Sequence, residues 1–386
     1  MVNRPLIFFI DPQSYNNLGK YDSKLIAGIT NLEKVRIDFY CSTLFEEQVD
    51  RTVKILPTFR YQNHSAKLLK VTSYCFSLLK ILSDCFLKKP QVIHVQWIKF
   101  PLVDCFIYSL VQKLIGTKLV YTSHNVVPHG TDNAKHFWLS KFLYRCDHII
   151  VHHEATKIEV MKRFDLVRHK ISVIHHGPIP LHSGKVSKAV DSVRKFCSSK
   201  DLVFGFIGSG SFYKGLDILV NAWKRVPIYL REHSVLLLCG KIDTSLEQSL
   251  GGMNWHNATE GLIVQNAYLT EPDLDAYVSL MDVVVLPHRK ISQSGVLLSV
   301  LDREACFVVA DHPAFVDVVD KYKLGWVYDG SEAALTKVLI SLLMNPEDIV
   351  QKKYNAEGRK CANAAVSWGS AALLTTRVYL ENATPD

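Results

Sequence analysis

Short apolar runs alternate with longer stretches in which apolar residues recur every three or four positions, almost throughout the 386-residue chain. The short runs read as buried strands and the longer ones as amphipathic helices. In the first half the strand candidates are LIFFI (6–10), VRIDFYC (35–41), VIHVQW (92–97), KLVYTS (118–123), HIIVHH (148–153) and ISVIHH (171–176). After residue 180 a polar, turn-rich segment leads into a second series: LVFGFIG (202–208), SVLLLCG (234–240), LIVQNAYL (262–269), DVVVLPH (282–288), CFVVAD (306–311) and LGWVYD (324–329). Strands alternating with helices predict βαβ units on parallel sheets. The expected class is α/β, with Rossmann-like domains at 1–180 and 181–365 and an amphipathic helix within 366–386. Length agrees, because single cores stop growing near ~250–300 residues.

The most amphipathic pattern is AKLLKVTSYCFSLLKILSDCFL (66–87). Lys67, Lys70, Ser73, Ser77, Lys80 and Asp84 fall at steps of three or four, a narrow polar stripe on a wide apolar cylinder. Two uses are open. The helix could pack on its sheet with a lysine-dotted solvent edge, or its surface could dip into a bilayer interface.

Composition narrows the function classes. Apolar residues at 48% and charged residues at 21% describe a globular chain. The net charge of +8 is uneven: residues 1–180 hold 24 Lys and Arg against 14 Asp and Glu, the rest 21 against 23. A basic first half suits an anionic partner. No RNA-binding aromatic motif or helix-turn-helix accompanies it, so nucleic acid is not expected. No apolar stretch reaches the ~18 residues of a membrane span, and the opening MVNRPLIFFID reads as a strand rather than a secretory leader. A cytoplasmic location follows, with peripheral contact at the inner face of the cytoplasmic membrane as a further expectation. The nine cysteines are scattered and form no C-x-x-C pair, which argues against a disulfide framework or zinc site. Sixteen histidines without Asp or Glu clusters imply no metal.

Two loops carry the chemistry of the second half. FGFIGSGSFYKGLDIL (204–219) is a strand, a Gly/Ser turn and a helix start near Lys214. Gly208 and Gly210 allow close backbone approach, and Ser209, Gly210 and Ser211 can present N–H groups and hydroxyls to a phosphate. The third glycine of the dinucleotide fingerprint is missing. LPHRKISQSGVL (286–297) places His288, Arg289 and Lys290 at a strand end, followed by Gln293, Ser294 and Gly295. Ligands of open parallel sheets sit beyond the carboxyl ends of strands, so both loops fall on one edge as a diphosphate clamp with Lys214 and Arg289. Taken singly, each has a plainer reading, as turn geometry or a solvated charge pair.

In the first half, YTSHNVVPHG (121–130) ends a strand in His124 and Asn125 and runs on to His129; Trp97 ends the neighbouring strand. DPQSYNNLGKYDSKL supplies Asp11, Asn17, Gly19 and Tyr21, read as a turn open enough to admit a ligand. Asp11 and His124 are the candidate bases by position. No Walker loop, kinase set or G-x-S-x-G elbow is present.

With DPQSYNNLGKY, VIHVQW, LVYTSHNVVPH, ISVIHHG, FGFIGSGSFYKGLDILVNAW, NAYLTEPDLDAYVSLMDVVVLPHRKISQSGVL and SWGSAALLTTRVYL in place, the chain resembles GT-B glycosyltransferases of the family 4 or group 1 type, near the branch that builds bacterial exopolysaccharides and O-antigens. The resemblance implies two Rossmann-like domains facing each other across a cleft, with the terminal helix crossing back to the first domain. It implies a UDP- or GDP-linked sugar in the C-terminal domain and a saccharide or lipid-diphosphate-linked acceptor in the N-terminal domain, with no cofactor and no metal. Lys214 matches the family's donor-phosphate lysine, His124 its histidine that reaches the donor sugar, and Ser294 and Gly295 the turn that meets the diphosphate or sugar. Ser209 stands where the family has arginine, and Arg289 is expected to substitute for that charge. The family's two glutamates fall on Ser292 and Val300. An inactive nucleotide-sugar-binding partner subunit and a nucleotide-sugar epimerase are the other classes that the same architecture serves.

Overall fold

The computed structural model describes residues 4–124, 133–166, 170–179, 184–251, 261–291, 295–301 and 303–381. The chain divides into two compact units, Met1–Gly177 with Val366–Asp386, and Pro178–Ala365.

The first unit is a seven-stranded parallel sheet: β1 Leu6–Asp11, β2 Arg36–Ser42, β3 Lys54–Phe59, β4 Val92–Val95, β5 Lys118–Thr122, β6 His148–Val151 and β7 Ile171–Val173. Their spatial order is β3-β2-β1-β4-β5-β6-β7. Because side chains alternate across a strand, β1 feeds two cores. Phe8 and Ile10 join the apolar cluster under the helices Lys67–Lys88, Pro101–Ile115 and Asn133–Arg145. Ile7 and Phe9 join the opposite cluster with Leu25, Ile26 and Ile29 of the helix Asn16–Asn31. The helix Trp368–Leu380 packs on Asn16–Asn31, and its Ala371, Ala372, Val378 and Tyr379 complete that second core.

The second unit is a six-stranded parallel sheet: β8 Leu202–Ile207, β9 Ser234–Cys239, β10 Leu262–Gln265, β11 Val283–Leu286, β12 Cys306–Ala310 and β13 Gly325–Tyr328. The order β10-β9-β8-β11-β12-β13 brings β8 beside β11 at the centre, where the connection reverses direction. Ligands of doubly wound sheets sit at such a switch point.

Twelve of the thirteen described strands fall on the apolar runs, β1 and β2 extending one residue past theirs; β3 does not. Its KILPTF is partly exposed and contains Pro57, which only an edge strand tolerates. The helix Lys67–Lys88 also departs from expectation. Its polar stripe does not face solvent as a unit: Ser77 is buried and bonds Thr58 O, and Asp84 accepts from Tyr40 Oη at 2.8 Å. All nine cysteines are free thiols, seven of them buried. No helix among the described residues is long and apolar enough to cross a membrane.

Candidate functional site

The central loops of the second unit interlock through glycine. Gly208, just past β8, has φ +112°, and the Lys214 Nζ lies 3.0 Å from where a β-carbon on Gly208 would stand. Gly215 has φ +69°, and a β-carbon there would run into the Pro287 carbonyl after β11. Only glycine allows both approaches. The turn Phe212–Lys214 is therefore clamped against 287–290, where the Arg289 N–H donates to Tyr213 O at 2.9 Å. The helix begins at Leu216, two residues later than its sequence pattern implied.

Three polar atoms on this loop cluster have no hydrogen-bond partner among the described residues. Lys214 is half-buried and makes no hydrogen bond or ion pair among the described residues; burial lowers its pKa, against an opposing pull from Asp243. Ser211 Oγ and His288 Nδ1 are buried with no hydrogen-bond partner there. Burial, Lys214 and His312 hold His288 down to about 4, neutral at physiological pH. Buried polar atoms are nearly always satisfied, so an orphaned hydroxyl and imidazole beside an unpaired ammonium mark a place for an anionic ligand.

Two expectations about these loops are corrected. Arg289 is not a spare charge: NH1 and NH2 each donate to Asp217 at 2.6 Å, and NH1 also donates to Phe212 O at 2.6 Å. It braces the turn that carries Lys214. The expected N–H cradle is also narrower, because Gly208 N–H donates to Cys239 O at 3.0 Å and Gly210 N–H to Lys241 O at 2.8 Å. Those donors hold β9's loop against β8's. Ser209 flanks them, exposed. Gly295 opens the short helix Gly295–Val300 and is exposed; Gln293 and Ser294 lie outside the described residues.

In the first unit, the ring of Tyr21 is met by His124, His152, His176 and Trp368, with centroids 4.9–5.8 Å away in edge-on geometry. His124 is half-buried, contacts Gln96 Oε1 at 3.1 Å through Nε2 and lies beside Trp97. Burial first, then His176, bring its pKa to about 3. At neutral pH it is a hydrogen-bonding imidazole and a poor proton acceptor. Gln96, His152, His176 and Trp368 carried no role in the sequence reading, although HVQW, HIIVHH and ISVIHH had marked strand ends there. Asn125 and His129 lie outside the described residues.

The expected open turn after β1 is not one. Asn17, Gly19 and Tyr21 are within the helix Asn16–Asn31. Asn17 is exposed, but Gly19 is packed against the Ser14 carbonyl and Tyr21 is buried. Asp11 is 1% exposed, with its Oδ1 accepting from Gln13 N–H at 2.6 Å. Burial raises its pKa, and burial plus Asp11's charge raise that of the adjacent, fully buried Asp22. This walled-off carboxyl pair is closed to an acceptor hydroxyl. Among the described residues no group of His, Cys, Asp or Glu is arranged to hold a metal ion.

The family described as Glycosyltransferase Family 4 matches residues 33–178, and Glycosyl transferases group 1 matches 201–345. The chain is a GT-B glycosyltransferase of the family 4 and group 1 type. No curated protein matches it by sequence. Similar solved structures include a glycosyltransferase from Rickettsia africae (12% identity, TM-score 0.72, covering 99% of this chain and 100% of that one). Anabaena Alr3699/HepE in complex with UDP matches at 12% identity and TM-score 0.70, covering 97% and 99%. WaaG, a glycosyltransferase involved in lipopolysaccharide biosynthesis, matches at 11% and 0.65, covering 98% and 100%.

Within this glycosyltransferase, Val300 is 1% exposed in the apolar core, so no carboxylate is presented from that position. The other glutamate position, Ser292, lies outside the described residues. Arg289→Ala and Asp217→Ala are expected to reduce transfer by similar factors, each less than Lys214→Ala does. If the pair acts as one brace, the double variant loses no more than the worse single one. A double-mutant cycle on kcat/KM measures this; additive losses would show that Arg289 works independently of Asp217.

Proposed function

We propose that the protein transfers a sugar from a nucleotide-diphosphate sugar to a saccharide or lipid-diphosphate-linked acceptor in surface-polysaccharide assembly, at the inner face of the cytoplasmic membrane and without a metal. The observation that carries the donor half is the unpaired Lys214 Nζ over Gly208, beside the orphaned Ser211 Oγ and His288 Nδ1. Similarity to a structure that binds UDP favours UDP over GDP as the nucleotide.

Breaking the sugar–phosphate bond leaves charge on the departing diphosphate. A preplaced ammonium in a half-buried loop favours that charge as it develops, and one such group is worth ~3–4 kcal/mol. His288 and Ser211 then donate to the diphosphate oxygens, or donate to and accept from the sugar hydroxyls. Neutral His124 engages a sugar hydroxyl, with Gln96 fixing its ring. The acceptor proton passes to the leaving phosphate, since Asp11 is sealed and His124 is held too acidic to take it.

A thermal-shift screen over nucleoside diphosphates and their sugars tests the donor assignment. UDP is expected to raise Tm more than GDP, and Lys214→Ala to remove the shift. Transfer is expected to persist in excess EDTA; its abolition, with restoration by added Mg²⁺ or Mn²⁺, would overturn the metal-free reading. The buried Val300 favours one second reading, a binding subunit without turnover, which predicts the UDP shift with no release of UDP from any donor.

A further inference from the structure

Three neighbouring helices on one face of the first unit's sheet, Lys67–Lys88, Pro101–Ile115 and Asn133–Arg145, bury one side and leave large apolar side chains on the other. Tyr74, Leu78 and Ile81 point into the core, whereas Leu68 is 74% exposed, Phe76 72% and Leu87 79%. With Leu79 and Phe86 these fall at spacings of eight, three and seven, close to whole helical turns, with Leu87 beside Phe86, an outward stripe about 28 Å long at 1.5 Å per residue. Phe106 at 66% and Tyr144 at 68% continue the surface onto the next two helices. Contiguous exposed apolar area on this scale marks an interaction surface.

Charge says what covers it. Lys67, Lys113, Lys141 and Arg145 are exposed on the same helices, and Lys141 Nζ sits 4.8 Å above the Phe137 ring. The described acidic side chains there are buried or already engaged. Asp104 is fully buried, accepting from Tyr74 Oη, and Asp84 is held by Tyr40 and Lys80. Asp147, just past the third helix, accepts from Leu119 N–H and Gln112. An apolar stripe set among lysines, with no unengaged carboxylate among the described residues of these helices, matches the interfacial zone of an anionic bilayer. A second copy docked about a two-fold axis would press the same cations together, which is unfavourable.

We propose that this face of three helices seats the protein on an anionic phospholipid surface, inserting Phe76, Leu87 and Phe106 below the headgroups. The proposal rests on the membrane-side reading above only for its purpose; the surface itself is independent of the donor site. These side chains are exposed, so charge substitutions there spare the fold.

The test is flotation of the full-length protein with phosphatidylcholine vesicles, with and without phosphatidylglycerol, at low and high salt. Binding is expected to the anionic vesicles alone and to survive partly at high salt. Phe76→Glu with Phe106→Glu is expected to lower it at least tenfold while Tm and the UDP-induced shift stay unchanged. Binding that ignores the double substitution, or no binding to anionic vesicles at low salt, overturns the proposal. So does a concentration-dependent dimer that the same substitutions dissolve. An unaltered protein that transfers sugar to a soluble acceptor but does not bind anionic vesicles refutes the docking face alone; one that binds them but transfers no sugar refutes the catalytic reading alone.

Discussion

Lys214→Ala is expected to lower sugar transfer by about 10²–10³-fold while the protein stays folded. The ammonium is half-buried at the mouth of the β8 loop, over a glycine whose missing side chain makes room for it. No described carboxylate pairs with it, so its charge is available when the diphosphate departs. If the contact strengthens as the bond breaks, kcat falls by a larger factor than KM rises. Lys214→Arg keeps the charge but brings a planar fork into a space shaped for a point cation, and is expected to recover only part of the rate. Steady-state kinetics with a radiolabelled donor decide it. Turnover within tenfold of the unaltered protein for Lys214→Ala would remove the assignment.

Acidification from pH 7 to 5 is expected to destabilise the protein sharply through the first unit. His94, His148, His152, His153 and His176 are buried. Burial lowers the pKa of each, to about 3 for His94 and His153, about 4 for His148 and His176, and well below the usual value for His152. A histidine depressed in the folded state contributes stability above its unfolded pKa near 6.5, and this is lost as pH falls toward the folded value. Each would lose about 2 kcal/mol by pH 5. Asp11, Asp22 and Asp104 oppose this, because burial raises all three, Asp104 to about 7. They stabilise the fold at low pH and lose that contribution as pH rises through their folded values. Near pH 5 five histidines outweigh three carboxyls, so unfolding takes up about two protons and stability falls by about 3 kcal/mol per pH unit. Those carboxyls cancel most of the histidine term near pH 7, so the net loss from pH 7 to 5 is about 3 kcal/mol, and thermal unfolding followed from pH 8 to 4.5 should show Tm lower by about 4–7 °C at pH 5 than at 7. A flat profile would mean that these imidazoles titrate as they do in water.

The two sheets were legible because parallel strands buried on both faces are written as continuous apolar runs. The edge strand β3 was not: KILPTF reads as a loop, and only its pairing with β2 makes it a strand. At the loops, their places beyond strand ends on one sheet edge marked 208–215 and 286–290 as neighbours, and Gly215 against Pro287 is the contact that joins them. What spacing could not carry was partnership. Asp217 carried no role in the sequence reading, yet it binds Arg289, so a residue read as a free cation is a brace. Asp11 likewise gave no sign that Asp22, eleven positions on and one helical turn beyond Gly19, would share its burial. The helix Lys67–Lys88 failed differently: its apolar and polar faces were both visible, but which apolar side met the sheet depended on Tyr74, Leu78 and Ile81 packing there.

The helix Trp368–Leu380 is threaded into the first unit late in the chain. Lys118 Nζ donates to Val378 O and to Glu381 O, and His94 meets Tyr379 Oη at 2.5 Å. During synthesis the whole of 178–365 emerges before this closing piece exists. Until then the nascent first unit carries an uncovered apolar flank beside Ile26 and Ile29, a natural target for chaperones, and a message truncated before codon 368 would yield a chain destined for proteolysis even with every residue of 1–177 intact.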